Sequence, residues 1–255
     1  MFYNKNVANR IQRYLFAVSG VALLVIFAPS LWAGPEPVAI MCGSGWIAGS
    51  KADWILSAGT GWLLMVVAMM TPLNLQPILH IRISSFSDRQ WRSTLIFLAG
   101  YLAIWLLGGY AIKVLELMVS RSVREVSVQA GAFALIACVW QASPFKQKCL
   151  NACHSHRPLA AFGRAADIDA LRFGLEHGMW CLGSCWALML FADSLVQWHL
   201  AGMIAVSLLM YCERMDAPAY PAWKLRGFQA ACQRLRHGFQ VYRHRSSSSP
   251  ARRSH

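Results

Sequence analysis

Six stretches of about twenty mostly apolar residues recur along this chain, the length a helix needs to cross the hydrocarbon core of a bilayer. They cover 14–33, 54–75, 93–115, 126–142, 171–193 and 196–212. The fourth is the shortest, and the last two meet in a tight turn near Ser194. Backbone polar groups in lipid must be satisfied within the segment, so such runs read as helices. Only 14% of the 255 residues are charged and 56% are hydrophobic, whereas a soluble domain carries about 25% charge. That balance excludes a soluble single domain, a disordered chain and a coiled coil. The expected fold class is all-α, a polytopic membrane bundle of six transmembrane helices.

The net charge of +13 reports orientation. With the N-terminus inside, the inner set holds Lys5, Arg10, Arg13, Arg82, Arg89, Arg92, Lys146, Lys148, Arg157, Arg164, Arg172 and the basic residues from Arg214 to Arg253. That set is 20 of the 24 Lys and Arg, leaving Lys51, Lys113, Arg121 and Arg124 outside. Both termini are therefore expected in the cytoplasm, with the chain in a bacterial inner membrane. The first span also carries signal-peptide features, a basic start and small residues near Ala33. Its cleavage would leave the other orientations unchanged. The chain divides into an N-terminal tail (1–13), a membrane domain (14–212) and a basic C-terminal tail (213–255). In that tail Phe228, Cys232, Leu235, Phe239 and Tyr242 recur at steps of four and three among arginines. Such a helix would lie on anionic lipid headgroups, and a solvated basic tail is the competing reading. Residues 246–255 are low-complexity. Positive-inside topology accounts for the charge, so nucleic acid is not an expected partner.

The chain has eight cysteines. Cys149 and Cys153, and again Cys181 and Cys185, stand four apart. Four residues make one turn, so each pair lies on one helix face, a geometry that suits two ligands on one metal. Cys42 is the only cysteine expected outside, so no extracellular disulfide framework is available. At 100° per residue, His177, Cys181, Cys185 and Met189 fall on one face of the fifth span, beside Gly174, Gly178 and Ser184. A face of small residues admits a close helix neighbour, so packing around a satisfied histidine is the alternative reading. Met69 and Met70 precede Pro72, which is expected to kink the second span. Span lengths put these groups in one half of the bundle, with Gln141, Cys149, Cys153 and Glu213 at the same ends. Thiolate, thioether and imidazole together select Cu(I) first and Zn(II) second. Glu176 is either a further partner for a proton or metal or a residue that simply sits near the membrane interface.

Several motifs resemble a known family. They are Ala68-Met69-Met70-Thr71-Pro72; Gly100-Tyr101 with Trp105; Gln141, Pro144, Lys146, Cys149, Leu150 and Cys153; and Gly174, Gly178, Cys181, Gly183, Cys185, Trp186, Leu188 and Met189. Over 54–213 the chain resembles the predicted metal-binding integral membrane proteins, domain-of-unknown-function family 2182. Two positions depart from that pattern. Ser184 stands where the family has a second Cys, and His154, followed by His156, stands where it often has Arg.

The leading expectation is a membrane protein that handles or transports a soft metal, copper before zinc. Met69, Met70, His177, Cys181 and Cys185 are its candidate ligands within the membrane. Cys149, Cys153 and His154 form a candidate entry or exit site. Gln141, Glu176, Met189 and Glu213 stand in support, and a metallochaperone or metalloenzyme is the expected partner. A membrane thiol-disulfide oxidoreductase, or an assembly protein without metal, are the alternatives. No phosphate loop, hydrolase elbow or zinc-protease motif points to another enzyme.

Overall fold

The structure is a computed structural model that describes residues 5–33, 51–123, 125–195 and 198–224. The proposed tail helix lies outside the described residues, as does Cys42. Eight α-helices run in chain order among them. They are α1 (Lys5–Ala33), α2 (Lys51–Met70), α3 (Leu75–Ser84), α4 (Gln90–Ser122), α5 (Val126–Ala142), α6 (Pro144–His154), α7 (Gly163–Ser194) and α8 (His199–Met215). The described residues contain no strand.

Length and hydropathy qualify three of these segments as membrane-crossing: 6–28, 58–84 and 87–122. The bent pair α5 and α6, which meet at 63°, makes a fourth if counted as one span. α8 is 17 residues long, and α7, though 32 residues long, is less apolar. The reason is visible in its packing. His177, Ser184, Asp193 and several glycines of α7 face the bundle, so its polarity is spent inside. Outward faces carry Leu24, Leu107 and Leu135, each about two-thirds exposed (69%, 67% and 67%). Such faces are compatible with lipid contact.

α7 is the hub. It packs most extensively on α4 and also contacts α5, α6 and α8, while α1 lies on α2. Glycine makes the α4–α7 contact possible. A Cβ added at Gly174 would sit 2.3 Å from the carbonyl oxygen of Phe97, and one at Gly100 would sit 2.9 Å from that of Leu171. Each helix thus presents a bare backbone to the other.

Local sequence explains the breaks. α2 ends at Met70, and Thr71–Asn74 continues as a 3-10 turn with Pro72 near its start. Pro72 lacks the N–H that would bond the carbonyl of Ala68. Ser19 of α1 donates to that carbonyl instead. At the second break Ser143 caps α6, its hydroxyl accepting from the Phe145 N–H at 3.0 Å, and Pro144 fills the first turn. Gly163 opens α7 at φ +74°, a left-handed conformation that favours glycine.

One charge departs from its expected place. Lys113, counted above among the outer charges, is buried (4% exposed), because α4 continues to Ser122 beyond the apolar run. Its ammonium pairs with Asp193 of α7 and, at 3.1 Å, with Glu116. Arg82, Arg89, Arg92, Arg157, Arg164 and Arg172 gather at the opposite end, called the basic end below. There Asp167 bridges Arg89 and Arg92, at 2.7 Å each.

Candidate metal centre

The spacing of four between Cys181 and Cys185 sets both sulfurs on one side of α7, and α4 and α8 close over them. Both thiols are buried (0% and 2% exposed), one turn apart on α7. The Tyr101 hydroxyl of α4 lies 3.3 Å from the Cys181 sulfur. From α8, Nη2 of Arg214 donates to the same sulfur at 3.1 Å. Ser184 holds Cys185 from the other side, its hydroxyl 3.2 Å from the sulfur, while donating to the Cys181 carbonyl at 2.8 Å.

Cys153 of α6 joins this group, buried and close to the Arg214 guanidinium. Cys149 is turned elsewhere. A Cβ at Gly183 would meet its sulfur at 2.9 Å, and Gly183 lies about 160° around α7 from Cys181. The two cysteines of α6 therefore address different flanks of α7.

Met69, Met70 and Met189 are buried (3%, 0% and 0% exposed) in the same hydrophobic cluster as Cys153, Cys181 and Cys185. His177 is buried one turn before Cys181, its ring 6.0 Å from that of Tyr101. Its Nε2 has no hydrogen-bond partner. His154 is differently placed: Nδ1 is 2.8 Å from the Leu150 carbonyl oxygen and Nε2 is 3.1 Å from that of Arg214. Both ring nitrogens thus face backbone oxygens, leaving none directed at a metal.

The supporting residues separate into two sets. Gln141 and Glu213 meet, the amide donating to the carboxylate, and Lys146 closes the group with an ion pair to Glu213 at 2.8 Å. All three are buried. Glu176 instead faces outward and pairs with Arg157 at 2.7 Å.

A cavity of about 530 Å³ opens beside the centre, between α1, the end of α2 and α4. Met70, Asn74 and Tyr101 line it. Tyr101, whose hydroxyl meets the Cys181 sulfur, links this cavity to the thiols. Tyr101 and Arg214 were not among the ligands expected from sequence. Tyr101 had a signal in the Gly100-Tyr101 element, whereas Arg214 had none beyond its place after Glu213.

Among the described residues no three His, Cys, Asp or Glu side chains are grouped to hold a metal ion. The arrangement offers instead a pair of thiols with thioethers in the same apolar core. That donor set suits Cu(I), which bonds soft sulfur and is stable with two ligands. It does not suit zinc, which takes four.

A family profile described as "PpoB2: Copper chaperone" matches residues 59–233, more than half of the chain. No curated protein and no solved structure matches.

Proposed function

The chain belongs to the PpoB2 copper-chaperone family, and from that premise we propose that it is an integral membrane protein carrying Cu(I) on Cys181 and Cys185. The observation that carries this reading is the buried thiol pair, one turn apart on α7, with Arg214 against one sulfur. Two thiolates on Cu(I) make a complex of net charge −1. Arg214 supplies the compensating positive charge, and the low-dielectric surroundings strengthen that attraction. Met69 and Met70, at the end of α2 in the same buried cluster, are the thioether donors, and His177 is the nitrogen donor one turn away. Cys153, on the far side of Arg214, is a neighbouring thiol to which the ion can be passed.

Six spans with both termini cytoplasmic complete the reading. Three long apolar helices, the bent α5–α6 pair and the concentration of arginines at one end support it. In this orientation the basic end and the thiol centre lie on the cytoplasmic side. The basic C-terminal tail lies on anionic headgroups, and the copper goes to a metallochaperone or metalloenzyme.

The test is Cu(I) stoichiometry on protein purified in detergent under reducing conditions, with Cys181→Ser/Cys185→Ser alongside. One tightly held copper in the native protein, absent from the double variant, is expected. Arg214→Gln should keep the copper but bind it about 10–100-fold more weakly, the usual cost of losing a partner that supports a metal ligand. Equal copper content in the native protein and the double variant would overturn the reading.

A further inference from the structure

A second set of ligands lies at the basic end, on the path between the protein surface and the thiols. α3, the segment after α6 and α7 bring His80, His156 and His177 around Phe173. The His80 and His156 ring centroids are 4.9 Å apart. Phe173 lies 5.6 Å from His80, 6.0 Å from His156 and 5.9 Å from His177. His80 is half-buried and His156 exposed, whereas His177 is buried. The series therefore leads from solvent into the core, and Cys181 follows His177 by one turn.

A hydrogen bond fixes the chemistry of His80. Nε2 of His80 lies 2.8 Å from the Arg157 carbonyl oxygen. Only an N–H can face a carbonyl in a hydrogen bond, so Nε2 carries the proton and Nδ1 keeps its lone pair. An imidazole that gives one N–H to a backbone carbonyl is oriented as metal-binding histidines are.

Metal–imidazole bonds are about 2 Å long, so two nitrogens about 4 Å apart hold one ion between them. Rings centred 4.9 Å apart can reach that spacing by small side-chain rotations. Among the described residues no third acidic, thiol or imidazole group completes a metal cluster there. Two neutral nitrogens suit Cu(I), a d¹⁰ ion stable in linear two-coordination. They leave zinc two ligands short.

We propose that His80 and His156 form a two-nitrogen docking site for Cu(I), through which copper passes by His177 to and from Cys181. This inference rests on the copper reading above, and it assigns the exchange site to this pair. His154, whose nitrogens both face carbonyl oxygens, has no part in it.

The experiment titrates Cu(I) anaerobically into full-length protein in detergent against a chromophoric Cu(I) chelator. Cys181→Ser/Cys185→Ser should keep one weaker copper, with only nitrogen neighbours in X-ray absorption. Adding His156→Ala should abolish that copper. His156 is exposed, so this single change does not endanger folding. His154→Ala should leave it in place. With the thiols intact, His80→Ala/His156→Ala should keep the tight copper but slow its removal by chelator at least tenfold. A weak site that survives His156→Ala, or unchanged removal, overturns the docking site and leaves the thiol reading standing. Absence of tight copper from the native protein overturns the thiol reading. A nitrogen-bound copper lost with His156 would then still uphold the docking site.

Discussion

Gly174→Ala tests whether the α4–α7 contact holds the centre together. The added Cβ would lie 2.3 Å from the Phe97 carbonyl oxygen, and 3.0 and 3.1 Å from its C and Cα. All three are backbone atoms, so no side chain can rotate away. Ordinary contact begins at 3.4 Å, so the helices must separate locally by about 1.1 Å. Tyr101 is one turn from Phe97 on α4, and Cys181 is two turns from Gly174 on α7. A shift of that size takes their 3.3 Å contact beyond hydrogen-bonding distance, even to sulfur. Overpacking of a tight interface costs about 1–3 kcal/mol. Gly131→Ala is the matched control, because nothing lies within 4 Å of its added Cβ. Relieving glycine's backbone entropy within α5 should stabilise by about 0.5–1 kcal/mol. The two alanines should therefore move stability in opposite directions. Unfolding in mixed micelles with increasing sodium dodecyl sulfate, followed by circular dichroism, reads both. Copper content should fall in the first variant and hold in the second. A Gly174→Ala protein as stable as the native one would refute the close backbone approach, and with it the argument for how α4 reaches Cys181.

Lys146→Met should destabilise by about 3–5 kcal/mol, because it leaves the Glu213 carboxylate buried without its cation. Lys146→Met/Glu213→Met should recover most of that loss in the same unfolding assay. A double variant as unstable as the single one would show that the ion pair is not the source. Stability should also depend on pH through His156, whose folded pKa lies below the ordinary value of about 6.5. Below that pH the unfolded chain binds a proton that the folded protein resists, so stability falls as acid is added. His156→Gln should flatten the melting temperature between about pH 7.5 and pH 5.5, and an unchanged slope would exclude His156 as its origin.

The parts legible in the sequence are those governed by short-range periodicity. The hydrophobic runs locate six of the eight helices described, missing α3 and α6, and 126–142 is an apolar run that forms a helix with the same limits. Pro72 marks a break because its missing N–H acts within four residues. Likewise His177, Cys181, Cys185 and Met189 share a face by their spacing alone, and all four are buried. Contacts between distant segments are a different matter. Arg214 follows an apolar run and reads as one more positive-inside charge, yet it turns back to Cys181 across 33 residues. Lys113 reads as an outer charge, yet it is neutralised by Asp193, 80 residues away.

Cys149 and Cys153 show the limit most clearly. Their spacing predicts two ligands on one side, and they do lie one turn apart on α6. α6, however, lies against α7, so one turn suffices to carry Cys149 past it to Gly183 while Cys153 reaches Arg214. Spacing along a helix fixes which residues share its own face. It does not fix what that face meets, because the 63° bend at Ser143 sets the direction of α6. The same reasoning accounts for His80. It has no motif and no periodic partner, and it becomes a candidate ligand only because α3 turns its end against the segment after α6, where Arg157 supplies the carbonyl that fixes its tautomer. Removing that bend, for example by Ser143→Ala/Pro144→Ala to favour one continuous helix, should therefore separate Cys153 from Arg214 and His156 from His80 together.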